Sequence, residues 1–404
     1  MTQTSKTTGL ALIVLLGALA GMTPLAIDMY LPAIPAIADE LHATVSLTQM
    51  SVSFFLVGFA VGQLFYGPVT DALGRIPVLM GGLGVFALAS ILATFTSSVE
   101  GLIAARVLQA LGGAGGSVVV MAILRDLFQR EQFARAMSFV MLVMNLAPLA
   151  APIVGGYLLA HSGWRAIFYL LALLSLLLVV LIATRIGETL PASKRHRLNL
   201  SSALGLYRRI ILTRQTMMYL GIGALVSGSL FVFITGSSYV YIRYFDVAPE
   251  HFGYLFGLNI ILMMLLTSFN ARYVARFGTL KMLATGLSIS GVGAVLALLA
   301  ASLSAPPLWL VVLPVMLMVG PLGMVSANAT SLSLDSFDGA AGSVSALGGA
   351  IRFISGALSG VLLSLSHPQS PMPMLIGMAV CSLAALGYYW YTLNVVPKAV
   401  KDKK

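Results

Sequence analysis

Ala26-Ile27-Asp28-Met29-Tyr30-Leu31-Pro32 lies in a run that opens at Gly9 and is apolar almost throughout, and Asp28 is the only acid between Met1 and Asp39. If that run crosses a membrane, the carboxylate is expensive, by ~2.5–3.5 kcal/mol on insertion scales, and marks a functional position that needs a partner. If Asp28 sits at the water interface or caps a helix end, it needs neither. The rest of the chain decides between these readings, and Arg106 is the partner it suggests.

The 404 residues are 59% hydrophobic and 9% charged, with a mean hydropathy of +0.97. A water-soluble domain of this composition would expose apolar patches far above the order of a few hundred Å² normal for a monomer. Apolar runs of about 20 residues recur along the whole length, each able to cross ~30 Å of hydrocarbon. They are continuous rather than alternating, which argues against a β-barrel. The expected fold is an all-α membrane protein of about twelve transmembrane helices, centred near Leu19, Gly58, Phe86, Gly112, Ala147, Ser175, Phe231, Leu262, Ser290, Leu317, Phe353 and Ala384. The start of the chain resembles a signal peptide, but no soluble domain follows it, so an uncleaved first span is expected.

One connection differs from the short ones. From Arg185 to Arg214 the chain turns polar and basic, with Lys194-Arg195-His196-Arg197 and Arg208-Arg209. This divides the chain into a six-helix half at 1–185, a basic linker at 186–214 and a second six-helix half at 215–404. Basic residues favour the cytoplasmic side of a span. With the N-terminus in the cytoplasm, all Lys and Arg except Arg106, Arg165, Arg243 and Arg352 fall on that side. Both termini and the linker are then cytoplasmic, and the net charge of +10 reads as a topology signal rather than an affinity for nucleic acid. Phe65, Gly74 and Gly156 recur as Phe269, Gly278 and Gly360, each at an offset of 204 (269−65, 278−74, 360−156). Together with the six-linker-six layout, this suggests two homologous halves related by an axis along the membrane normal.

Gly67-Pro68-Val69-Thr70-Asp71-Ala72-Leu73-Gly74-Arg75 follows the second span. Gly67 would let two helices approach closely. Asp71 would sit at a neighbouring helix N-terminus or pair with a basic residue. Gly74 would make a tight turn and Arg75 would anchor it at the headgroups. The stretch resembles motif A of the major facilitator superfamily, except that Ile76 stands where that family often has a second basic residue. That departure is expected to weaken a cytoplasmic latch.

Arg106-Val107-Leu108-Gln109 followed by Gly112, Gly113, Gly115 and Gly116 resembles motif B of the same superfamily. The glycines read as packing within a span. Arg106 lies six residues past Glu100, so ~9 Å inward, and Asp28 eleven residues before Asp39, so ~16 Å inward at about 1.5 Å per residue. The two are expected to share the outer half of the membrane and to pair. Burial favours a neutral carboxyl and a nearby guanidinium an ionised one, so such a group can change protonation as its site opens. A static ion pair that only fixes packing would look the same in sequence.

Pro148, Pro152, Gly155 and Gly156 lie in the fifth span and resemble motif C, the signature of drug:proton antiporters. Each proline removes a helix hydrogen bond, and paired glycines permit close packing, so the segment can bend as a gate does. With Asp28-Met29-Tyr30-Leu31-Pro32-Ala33-Ile34-Pro35, these residues give a resemblance to the Bcr/CflA group of that superfamily over essentially all the spans. It implies proton-coupled efflux of small amphipathic drugs across a bacterial inner membrane by a monomer in the lipid bilayer. It leaves Asp28 and Arg106 as the proton-coupling pair. A metabolite transporter and a non-transporting membrane sensor remain open.

A midplane cavity between the halves would draw on Tyr30, Gln109, Met141, Met144, Asn145, Phe231, Phe233, Tyr239, Asn259, Met263, Asn328 and Phe353. Methionine and aromatic side chains suit a promiscuous apolar pocket. Arg352 sits mid-span with no acid nearby, so its candidate partners are Asp28, backbone carbonyls or a substrate acceptor. His42, His161, His196, His251 and His367 are scattered and Cys381 is the lone cysteine. No metal cluster, nucleophile–base pair or phosphate loop appears. The expectation is a secondary active transporter rather than an enzyme, with the proton gradient as energy source and no cofactor.

Overall fold

The computed structural model describes residues 6–128, 130–195, 200–337, 341–366 and 370–401. His196, Arg197, Asp338, His367, Asp402, Lys403 and Lys404 lie outside the described residues, as does the side chain of Asn145. Among the described residues there is no strand. The helices are α1 Lys6–Asp28, α2 Ile34–Glu40, α3 Val45–Leu73, α4 Arg75–Thr94, α5 Val99–Leu127, α6 Arg130–Ser162 and α7 Arg165–Arg185. They continue as α8 Leu200–Leu212, α9 Arg214–Ser238, α10 Pro249–Phe277, α11 Thr279–Ala301, α12 Leu308–Val319, α13 Leu322–Asp335, α14 Ala341–Leu365 and α15 Met372–Lys401. Among the described residues twelve segments are long and apolar enough to cross a membrane. The first joins α1 to α2, the seventh extends α9 to Tyr244, and the tenth joins α12 to α13.

The chain divides into two compact units, Met1–Leu200 with Ala248–Gly253, and Ser201–Val247 with Tyr254–Lys404. In the first, small residues bring backbones together, as they must where lipid gives no hydrophobic drive for helix association. A Cβ on Gly58 would lie 2.8 Å from the Val107 carbonyl oxygen, and one on Gly62 would lie 2.6 Å from Ala114 Cβ, so α3 and α5 touch almost directly. Gly112 brings α5 onto α4, since its Cβ would meet the Gly82 oxygen at 2.5 Å. The second unit is centred on Ile222 and Val226 of α9, Leu283 and Leu287 of α11, Val325 of α13 and Ala385 of α15.

The first span is not one helix. α1 ends at Asp28, a single 3-10 turn covers Leu31–Ala33, and α2 resumes at Ile34. Pro32 has no amide for the Asp28 carbonyl and Pro35 none for that of Leu31, so a continuous ladder cannot form there. The seventh span likewise leaves α geometry, in a π-helical turn over Tyr239–Tyr244. The internal repeat has a backbone counterpart too. Gly74 and Gly278, at the offset of 204, have φ of +103° and +84° and each directly precedes a helix.

Candidate functional site

Asp28 is buried, with 4% of its surface exposed, and Arg106 is fully buried at 0%. The expected ion pair between them is absent among the described residues: Arg106 instead grips the chain on either side of the acid. Its Nη1 donates to the Ala26 carbonyl at 3.0 Å, and its guanidinium lies 4.7 Å from the Tyr30 ring centroid. The physical reason is that the aromatic faces of Phe55, at 4.2 Å, and Phe168, at 6.0 Å, complete a cage that holds the cation without a carboxylate. The Asp28 carboxyl has no hydrogen bond or ion pair among the described residues. Arg106 Nε and Nη2 have no hydrogen-bond partner either.

Two hydrogen-bonded chains fix this cage, and each has a definite direction. Arg106 Nη1 donates to Gln109 Oε1 at 2.5 Å, and Gln109 Nε2 donates to Ser90 Oγ at 2.7 Å. Ser90 spends its one proton on the Phe86 carbonyl at 2.7 Å. Tyr30 and Ser51 hydroxyls are 2.8 Å apart. Ser51 donates to the Thr48 carbonyl at 2.6 Å, so Tyr30 must be the donor of that pair. Tyr30 and Gln109, expected to line a cavity, are enclosed at 0% and 1% exposure and serve as supports of the cage.

The motif C helix closes on the same place. A Cβ on Gly155 would collide with the Met29 carbonyl, one residue past Asp28. Gly156 does the same for the Pro249 carbonyl, in the segment Ala248–Gly253 of this same unit. α6 stays helical through Pro148 and Pro152, with Pro152 buried.

The turn after α3 is a charged knot. Arg75 Nη1 meets Asp71 Oδ1 at 2.5 Å and its Nε lies 3.3 Å from Asp126 Oδ2. Arg75 is therefore turned into the protein, with 11% of its side chain exposed, and does not reach for headgroups as expected. The helix N-terminus is taken by Glu188 rather than Asp71. Its Oε1 accepts from the Arg75 amide at 3.0 Å and its Oε2 from the Ile76 amide at 3.3 Å, which caps α4 with a negative charge. Ile76 is buried at 8% exposure, so apolar packing and this cap occupy the place of a second basic side chain. Burial pushes the Glu188 carboxyl up, but the amides of Leu190, Arg75 and Ile76 and the guanidinium of Arg195 outweigh it and hold it below the usual range. Gly74, at positive φ, is also where a Cβ would strike Glu188 Oε2. Gly67 corrects an expectation: a Cβ there would meet nothing within 4 Å, and the close approach of α3 belongs to Gly58 and Gly62.

In the second unit, Phe231 and Phe353 pack at 5.6 Å between centroids. Phe233 is enclosed between Phe256 at 5.3 Å and Tyr241 at 6.3 Å. Asn259 is fully buried, its amide donating to the Leu255 and Phe256 carbonyls at 3.2 and 3.3 Å. Asn328 donates to Asn270 Oδ1 at 2.7 Å. Arg352 finds a partner that sequence did not suggest, the Thr330 hydroxyl, and lies alongside Gly223. Met141, Met144, Tyr239, Met263, Arg352 and Phe353 keep exposed surface, whereas Phe233, Asn259 and Asn328 serve the interior.

Sequence reading missed Phe55, Phe168, Ser90, Ser51, Asp126 and Glu188. The only signal for any of them was chemical: Glu188 is the one acid in the basic stretch from 186 to 214.

Known proteins support the same architecture. The chain is 35% identical over 381 residues to a bicyclomycin resistance protein homolog of Haemophilus influenzae, covering 94% of this chain and 96% of that protein. It is 30% identical to multidrug resistance protein D of Escherichia coli, over 88% of each chain. Among solved structures, a POT family transporter in complex with a thioalcohol-conjugated peptide shares the fold, with a TM-score of 0.76, 12% identity and 96% coverage of each chain. The human organic anion transporter MFSD10 shares it with a TM-score of 0.65 and 16% identity, over 96% of this chain and 100% of that one. The Major Facilitator Superfamily profile matches residues 16–360, and the chain, a multi-pass membrane transporter, belongs to that superfamily.

Proposed function

We propose that this transporter exports small amphipathic drugs in exchange for protons by alternating access, as a monomer in a bacterial inner membrane with both termini in the cytoplasm. Relatives named for bicyclomycin and multidrug resistance support the substrate class. The observation that carries the coupling is Asp28, a buried carboxyl at the break of the first span with no ion partner among the described residues. Charge on a carboxylate in an apolar span has to be compensated. Arg106 is held off by its aromatic cage, so a proton or a cationic drug is what remains to neutralise Asp28. Competition of the two for one carboxyl gives exchange. The residues proposed for coupling are Asp28 and Arg106. The turn at Asp71, Gly74 and Arg75 and the helix carrying Pro148, Pro152, Gly155 and Gly156 are proposed to move with the gate.

The test is drug flux in proteoliposomes of the purified protein under an imposed pH gradient. Drug must climb its own concentration gradient as protons run down the imposed one, and a protonophore must stop it. Uphill movement that survives the protonophore, or drug flux indifferent to the gradient, rules out proton exchange.

A further inference from the structure

The linker helix α8 carries an exposed face for which the transport cycle proposed above has no use. Its sequence is Leu200-Ser201-Ser202-Ala203-Leu204-Gly205-Leu206-Tyr207-Arg208-Arg209-Ile210-Ile211-Leu212. Ala203, Leu206, Tyr207 and Ile210 recur at helical spacing, and Ile210 is fully buried, so one face is spent on packing. On the other side Leu204, Ile211 and Leu212 are 59%, 50% and 71% exposed. Arg208 and Arg209 are exposed between them. Neither arginine side chain has an ion pair or hydrogen bond among the described residues. The one acid of the stretch, Glu188, is already committed to the cap of α4 and to Arg195.

The position of this face in the fold selects its occupant. α8 joins the seventh span through a single residue, Thr213. Thr213 has φ −82° and ψ 98°, which breaks the helix direction. Its hydroxyl donates to the Arg209 carbonyl at 2.9 Å, which fixes the corner. The span begins at Arg214, so α8 stands where hydrocarbon gives way to headgroups. Large apolar side chains interleaved with unpaired guanidinium groups suit that boundary. The apolar groups enter the acyl layer and the arginines meet phosphate oxygens. We propose that α8 is a docking surface for anionic phospholipid headgroups in the leaflet that meets the linker.

Full-length protein carrying Cys381→Ser and Leu204→Cys, labelled there with an environment-sensitive fluorophore, is placed in nanodiscs of phosphatidylcholine with or without phosphatidylglycerol. Brominated lipid is expected to quench the label and aqueous iodide to leave it, more so with phosphatidylglycerol present. Native mass spectrometry on the unlabelled chain should show preferential retention of phosphatidylglycerol. Arg208→Gln with Arg209→Gln should reduce that preference by about fivefold per arginine, roughly twenty-fivefold in all, at low salt. Arg208→Lys with Arg209→Lys should keep it, and both double variants should melt as the parent does. Quenching by iodide but not by brominated lipid overturns the proposal. So does a phosphatidylglycerol preference unchanged in the Gln,Gln variant, or equal competition by inorganic phosphate in solution.

Discussion

Gly155 of α6 rests against the carbonyl of Met29, so the proline-bearing helix touches the first span one residue beyond Asp28. The contact leaves no room for a side chain. Gly155→Ala must push α6 away or distort the break, at a cost of roughly 1–3 kcal/mol for forced overpacking. Efflux should fall and the melting temperature should drop. Gly67→Ala is the matched control, because its Cβ would meet nothing within 4 Å. There the loss of glycine from a helix interior should be neutral or stabilising by up to about 1 kcal/mol. Equal effects of the two substitutions would contradict the packing described.

Asp28→Asn keeps the size of the side chain and removes its ability to exchange a proton. Uphill drug accumulation should disappear while the protein still inserts and binds drug. Accumulation against a gradient at the parental rate would remove Asp28 from the coupling.

Ser90→Ala takes the acceptor from the Gln109 amide in a dry interior. An unsatisfied buried donor costs about 1–3 kcal/mol. Gln109 then loses its fixed orientation and Arg106 its second acceptor, so the melting temperature should fall and efflux with it. Measured beside Gln109→Leu, the double variant should cost less than the sum of the two single ones. Strict additivity would mean that the relay is not a unit.

Glu188→Gln tests the cap on α4. The folded state holds this carboxyl below its ordinary value of 4.5. Its charge therefore stabilises the fold fully above that ordinary value, and the contribution is lost as pH falls through the lower folded-state value. Thermal melts of the parent should weaken in acid relative to those of Glu188→Gln, and the two curves should converge at low pH. Above the ordinary value the variant should be less stable by about 1 kcal/mol, the worth of a charged cap. Parallel curves at every pH would show that Glu188 does not act through its charge.

Arg352→Ala and Thr330→Val divide a structural role from a substrate role. If the bond to Thr330 is what Arg352 provides, both variants lose stability and all drugs are exported less well. If Arg352 faces substrate, only Arg352→Ala changes the ratio of anionic to cationic drug efflux. Efflux of one drug of each charge, together with the melting temperature, decides between them.

Much of this was legible in the chain because a bilayer imposes simple rules. Run length gave the spans, the offset of 204 linked Gly74 to Gly278, and both glycines do adopt positive φ. Asp28 and Arg106 were recognisable as polar groups in apolar runs. How Arg106 is satisfied was not, because Phe55 and Phe168 come from other helices and look like ordinary core residues in sequence. A rise of about 1.5 Å per residue from Asp39 to Asp28 holds only for a straight helix, and Pro32 and Pro35 interrupt one there. Glu188 lies 113 positions from the Arg75 amide it caps, a distance no local pattern bridges.

The two prolines also decide how the first span can move. A helix bends only by stretching or losing ladder bonds at the bend. The bonds that would have spanned Pro32 and Pro35 are missing in every conformation, so α1 and α2 can change their mutual angle without losing them. Asp28 is the last residue of α1 at one end of that joint, and Gly155 packs against the backbone of Met29, the residue after it. A tilt of α2 about that joint would then change how much water reaches Asp28, while α1 and the bond from Arg106 to the Ala26 carbonyl stay in place.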